Sequence, residues 1–144
     1  MHPYPHVYTA QGRAESAGDV ALQSPNLPPI MSAPPAEFDG PGDKWSPETL
    51  LCAAIADCFV LSFRAVARAS KIEWSSLEST VTGTLDRVDG KSFFTEFVVQ
   101  ATLHVPAGTD AQKATRALEK AEHVCLISNS LVSRRRLEPT VVVG

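Results

Sequence analysis

Apolar and polar residues alternate with a period of two between residues 74 and 105, which predicts a β-hairpin. Leu77, Val81 and Leu85 alternate with Glu78, Thr80 and Asp86, and Asp89-Gly90 supplies a two-residue turn. On the return strand Phe93, Thr95, Phe97, Val99, Ala101, Leu103 and Val105 share one face. Ser92, Glu96, Gln100, Thr102 and His104 lie mostly on the other. From Leu50 to Phe63 the pattern changes, with apolar residues on every side of a helical projection and Ala53, Ala54 and Ala56 favouring the helix. Ser46 is its expected N-cap, Pro47 its first residue, and Glu48 sits at the positive helix end. A surface helix shows one apolar stripe. One that is apolar all round, at about 22 residues, predicts burial by a sheet or a second subunit, as the central helix of a dimer.

A second helix is expected after Pro106-Ala107-Gly108, with Thr109 and Gln112 as a capping box. It runs to about His123, with Ala114, Ala117, Leu118 and Ala121 inward. Residues 4–23 read as two short strands around a turn, and Leu137 to Val143 as a last strand. Residues 24–47 hold seven of the eleven prolines. Proline lacks an N–H and fixes φ, so neither ladder nor helix is expected there. Ile30, Phe38 and Trp45 offer anchors for an ordered loop. The class is α+β, an antiparallel sheet with helices on one face, in a single domain over 1–144.

Composition narrows the function. Hydrophobic residues are 44% of the 144, enough for a core, and the formal net charge is -3. That lacks the basic footprint of a nucleic-acid partner, and Arg134-Arg135-Arg136 reads as the solvated end of a strand or helix. The Leu50–Phe63 stretch is shorter than the ~20 residues a bilayer needs, so no transmembrane segment and no membrane partner are expected. MHPYPHVYTAQGR has no apolar signal region, which points to the cytoplasm. His2, His6, His104 and His123 do not cluster as metal ligands, and no Gly-rich phosphate loop occurs, so no metal or nucleotide cofactor is expected. Trp45 and Trp74 read as packing anchors.

Three cysteines without a signal peptide favour thiol chemistry over structural bridges. Cys52 and Cys58 are six residues apart on one helix, about 120° around it, and cannot pair within it. Cys52 reads as a small core hydrophobe. Cys58 is open to two readings, an inert buried thiol or a reactive one given a cation and access to solvent. Cys125 follows the second helix at a point where the chain can move. Spacing alone does not pair these two.

The run Phe38-Asp39-Gly40-Pro41-Gly42-Asp43-Lys44-Trp45-Ser46-Pro47-Glu48, with Leu50-Leu51 and Ala53-Ala54-Ile55-Ala56-Asp57-Cys58-Phe59, resembles the OsmC/organic hydroperoxide resistance family. Ala121-Glu122-His123-Val124-Cys125-Leu126-Ile127-Ser128-Asn129 resembles its second cysteine motif, and the order of elements matches over residues 7 to 143. The Pro-rich loop and Trp45-Ser46-Pro47-Glu48 look closer to a less characterised OsmC-like branch. The resemblance implies antiparallel sheets wrapped around two long central helices in an intertwined homodimer. It implies an antioxidant thiol peroxidase for organic hydroperoxides, without a bound cofactor and recycled by an external dithiol. Cys58 would then be the peroxidatic nucleophile and Cys125 the resolving thiol, joined in a redox-active disulfide. Arg13 would favour the thiolate and Glu48 would hold its guanidinium. Phe59, Ile30 and Phe38 would line an apolar pocket.

Ten residues between Glu48 and Cys58 span about 15 Å of unbroken helix. Either the helix breaks, or Glu48 and its arginine serve the cysteine of the other protomer. The competing function classes are a non-catalytic small-ligand binder or redox sensor of the same fold, and a purely structural dimeric protein.

Overall fold

The hairpin turn forms where the alternation stops. Asp89 and Gly90 both take positive φ, 51° and 79°, which a two-residue turn matched to strand twist requires. They join β4 (Ser76–Val88) to β5 (Lys91–Val105) in the computed structural model, which describes residues 1–144. The chain divides into two compact units, Met1–Leu50 and Leu51–Gly144.

In the first unit β1 (Gln11–Arg13), β2 (Val20–Gln23) and β3 (Ile30–Ser32) form an antiparallel sheet in the order β1-β2-β3. The third strand lies inside the Pro-rich stretch, where no ladder was expected. It fits because Ile30, Met31 and Ser32 fall between Pro29 and Pro34 and keep their N–H groups. A 3-10 turn, Ala36–Phe38, follows. Ser32 bridges to Trp45, and the Ala33 N–H donates to the Trp45 carbonyl at 2.9 Å. The expected anchors Ile30, Phe38 and Trp45 are about half exposed. Buried Ser32, Ala33 and Ser46, with backbone hydrogen bonds, order this segment instead.

Helix α1 (Pro47–Ser70) starts in the first unit and continues into the second. Ser46 caps it as expected. Its Oγ accepts from the Thr49 N–H at 3.2 Å while Thr49 Oγ1 accepts from the Ser46 N–H at 2.9 Å. Only one stripe of α1 is buried, Ile55, Phe59, Phe63, Val66 and Ala67, and Leu61 on another side is 51% exposed. The all-round burial expected of it is therefore not achieved within one chain. Ala65, Val66, Ala67 and Ala69 carry the helix past Arg64, so by length and composition alone α1 is long and apolar enough to cross a bilayer. This corrects the shorter span read from Leu50–Phe63. A long core helix meets the same criterion.

In the second unit Phe97, Val99, Ala101, Leu103 and Val105 point from β5 into a core shared with the α1 stripe. Helix α2 (Ala111–Val124) adds Ala114, Ala117, Leu118 and Ala121, the four residues expected inward. Asp110, not Thr109, caps it, accepting from the N–H groups of Gln112 and Lys113 at 3.0 and 3.3 Å. A carboxylate does so more strongly because it also meets the helix dipole. The opposite sheet face exposes Glu78, Thr80, Gln100, Glu138 and Thr140.

Two further features depart from expectation. Thr84 pairs with Glu96 and Leu85 with Phe94, leaving Thr95 as an unpaired bulge residue. The alternation reverses there, so Phe93 is exposed, while Phe94 packs on Phe97 with ring centroids 4.9 Å apart. Strand β6 (Arg134–Val143) begins three residues early and pairs with β5 in parallel, so the sheet β4-β5-β6 is mixed, not antiparallel. The cause is the helical crossover between β5 and β6, which returns the chain to the start of its neighbour.

Gly83 makes room for the aromatic pair. A Cβ there would stand 2.6 Å from the Phe97 ring and 3.0 Å from that of Phe94. Gly83→Ala is expected to cost about 1–3 kcal/mol by overpacking, read as a lower urea midpoint at unchanged slope. Gly90→Asn, at an open turn, is the control and should cost far less.

Candidate active site

The thiols come together at the meeting of two helical elements. Cys58 lies in the middle of α1 and is half-buried, with its Sγ 3.9 Å from the hydroxyl of Ser62 one turn on. Cys125 ends α2 and starts the short helix α3 (Leu126–Asn129), with backbone angles of -62° and 106° that bend the chain between them. This elbow keeps Cys125 1% exposed although its neighbours Val124 and Leu126 are 43% and 64% exposed. The Cys58 thiol lies near enough to that of Cys125 to interact with it electrostatically. Both are reduced.

Burial pushes the Cys125 thiol above its ordinary pKa, and the adjacent Cys58 thiol adds to this. The N–H and hydroxyl of Ser128 oppose the shift. They are close enough to favour the thiolate electrostatically, without forming a side-chain cap. Cys52 is also raised, by burial first, with the Gly83 N–H opposing. It packs on the core as a small apolar group, as the sequence suggests.

These shifts have a sign for stability. A thiol whose pKa is higher folded than unfolded holds its proton longer in the native state. Its contribution is complete below about pH 8.5, the unfolded thiol value, and is lost as pH rises through the folded value. Reduced protein should therefore lose stability from about pH 8.5 upward. Replacing Cys52 and Cys125 together by alanine should make that decline shallower in denaturation measured from pH 7 to 10. An unchanged slope contradicts the assignment.

Arg13 and Glu48 both belong to the first unit, Arg13 exposed on β1 and Glu48 in the first turn of α1. The ion pair expected between them is absent within the chain, where the only salt bridges are Lys44–Asp19 and Arg135–Glu122. Oε1 of Glu48 is nonetheless buried and has no hydrogen-bond partner. Of the residues expected to line a pocket, Phe59 is instead sealed in the core at 1% exposure. Its position lies on the α1 stripe, four residues from both Ile55 and Phe63. No three His, Cys, Asp or Glu side chains converge as metal ligands.

One side chain next to the elbow was missed. Arg135, read as part of a solvated basic run, turns to the helix-bearing side of β6. Its Nε donates to Glu122 Oε1 at 2.8 Å, one terminal nitrogen donates to Asn129 Oδ1 at 2.5 Å, and the other donates to the Glu122 carbonyl. The available signal was parity, because Arg135 shares its strand face with Leu137 and Val141, both packed on the core.

The sequence model of the family described as OsmC-like protein matches residues 40–139. The chain belongs to that OsmC-like family. It is 26% identical over 145 residues to the uncharacterized protein YmaD of Bacillus subtilis (strain 168), covering 96% of each chain. An OsmC structure from Legionella pneumophila, described as an organic hydroperoxide resistance protein, predicted redox protein and regulator of sulfide bond formation, is 26% identical. Its TM-score is 0.70, with 96% and 98% of the two chains covered. An organic hydroperoxide resistance protein from Elizabethkingia anophelis, with thiocyanate bound, has the same OsmC-like fold. Its TM-score is 0.79 at 20% identity, over 99% of this chain and all of that one. The α+β architecture of two sheets and three helices is thus that of OsmC-like proteins.

Proposed function

We propose that this chain is a thiol peroxidase that reduces organic hydroperoxides. The observation that carries the reading is the proximity of Cys58 and Cys125, near enough to interact electrostatically, one mid-helix and one at an elbow, inside a single chain. Family membership and the hydroperoxide resistance proteins among its structural relatives support it.

The thiolate of Cys58 attacks the terminal peroxide oxygen. The O–O bond breaks, alkoxide leaves and takes up a proton as alcohol, and Cys58 keeps the transferred oxygen as a sulfenic acid. The thiolate of Cys125 then attacks the Cys58 sulfur. The S–O bond breaks, hydroxide departs as water with one proton, and a Cys58–Cys125 disulfide remains. An external dithiol reduces it by two exchanges and is itself oxidised to a disulfide, so no bound cofactor is needed. The alcohol group, not an ion, leaves the site as product.

The protein would act in the cytoplasm as a homodimer, without nucleic acid or membrane as partner. Arg13 would favour the Cys58 thiolate and orient the peroxide, and Glu48 would hold the arginine fork. Both would come from the other protomer. Helix α1 supports this, because it runs unbroken over the ten residues that separate Glu48 from Cys58, a gap that no side chain spans.

The test is steady-state peroxide consumption with dithiothreitol, comparing cumene hydroperoxide with hydrogen peroxide. The expected result is a preference of about tenfold or more in kcat/KM for the organic peroxide, from burial of its apolar part. Absence of turnover in confirmed dimer would move the reading to a ligand binder or redox sensor.

A further inference from the structure

We propose that Arg135 is a positioning residue for Cys125, holding the α2–α3 elbow so that this thiol faces Cys58. The proposal rests on the peroxidase reading and assigns a residue to its second step. The residues involved all belong to the second unit. Glu122 lies three residues before Cys125 and Asn129 four after it. Arg135 binds both, and so bridges the two helices whose junction is the cysteine. The Glu122 carbonyl also accepts from the Cys125 N–H at 3.3 Å, so Arg135 and Cys125 share one acceptor. Asn129 returns to the elbow as well, its N–H donating to the Cys125 carbonyl at 2.9 Å.

The base of this bracket is fixed. Arg135 pairs with Phe97 across β5 and β6, and Phe97 is in the core. A guanidinium has donors in three directions within one plane, which suits two side chains and a carbonyl at once, whereas a lysine offers one point charge on a flexible stem. The bracket matters because α3 is a single turn and does not hold its orientation by itself, and because Val124 and Leu126 on either side of the inward-packed Cys125 are exposed and leave the α2–α3 bend to be fixed by hydrogen bonds. Effective concentration of one thiol at another falls steeply with small misplacement. Arg135 therefore acts on the rate of disulfide formation and not on the first attack on peroxide, in which Cys125 takes no part.

The experiment uses full-length wild type, Arg135→Gln, Arg135→Lys and Asn129→Ala, each mixed with one equivalent of cumene hydroperoxide. Cys58 sulfenic acid is trapped with dimedone, and the Cys58–Cys125 disulfide is quantified by mass spectrometry over time. Peroxide consumption in the first turnover should match wild type in all three variants. Disulfide formation should slow at least tenfold in Arg135→Gln, with sulfenic acid accumulating, and Arg135→Lys should fall between. A merely structural loss would move both steps together. Equal disulfide rates, within twofold of wild type, overturn the proposal. If Arg135→Gln does not fold, Arg135→Lys and Asn129→Ala decide by the same criterion. Should wild type form no disulfide with peroxide, the peroxidase reading fails separately. The bracket is then judged by equilibration with glutathione, where the Cys58–Cys125 disulfide constant should drop tenfold in the variants, and an unchanged constant overturns it.

Discussion

Cys58→Ser is expected to abolish peroxide turnover, by about a thousandfold or more, because burial holds the other two thiols, Cys52 and Cys125, protonated and makes them poor nucleophiles. The comparison with Cys125→Ser and Cys125→Ala is what makes the result specific. Those variants should consume one equivalent of cumene hydroperoxide and then stop, holding Cys58 as sulfenic acid in the absence of a small-molecule thiol. Serine at position 125 leaves a hydroxyl in a site that is 1% exposed, so a stability loss of about 1–2 kcal/mol belongs to burial and not to catalysis. Alanine separates the two effects. Cys52→Ala should leave turnover within about twofold of wild type, since Cys52 faces the Gly83 backbone and not Cys58. If Cys58→Ser keeps turnover while Cys52→Ala loses it, the assignment of the nucleophile is wrong.

Mixing Cys58→Ser and Glu48→Ala chains is expected to recover activity that neither has alone. If Glu48 and Arg13 serve the partner's cysteine, each heterodimer contains one site with an intact Glu48 and an intact Cys58. Two-fold symmetry then gives about half of wild-type activity per heterodimer. If both groups act within their own chain, every site lacks one of them and the mixture stays inactive. Two features favour recovery. The helix is unbroken from Pro47 to Ser70, and outside its single stripe α1 is only partly buried by its own chain, with Leu61 51% exposed. Dissociable tags and native mass spectrometry establish that the heterodimer is present. A confirmed heterodimer without activity contradicts the shared site.

What the sequence reveals of the fold follows the range of each interaction. The hairpin was readable because Asp89-Gly90 is a local turn with few alternatives, and α2 because its four inward residues repeat at helical spacing. The bulge at Thr95 was hidden, since Phe93 and Phe94 are both apolar and either parity could be continued. The parallel register of β6 was hidden too. A valine-rich strand reads the same whichever way its neighbour runs, and only the helical crossover sets the direction.

The site divides in the same way. Cys58 and Cys125 could be singled out by their types, and their pairing came from the family resemblance and not from spacing. Their proximity depends on the core that joins α1 to α2, which no local pattern encodes. Arg135 was concealed by its flanking arginines, which made the run look uniformly solvated although strand parity sends the middle one the other way. Phe59 was misread because a residue next to a candidate nucleophile in sequence lies about 100° from it around a helix.

The most direct test of the account is a thiol count after one equivalent of cumene hydroperoxide, with non-reducing peptide mapping. The account predicts the loss of two of the three thiols, a crosslink between Cys58 and Cys125 within one chain, and Cys52 still free. All three thiols intact, a crosslink that includes Cys52, or a bridge between chains would contradict it.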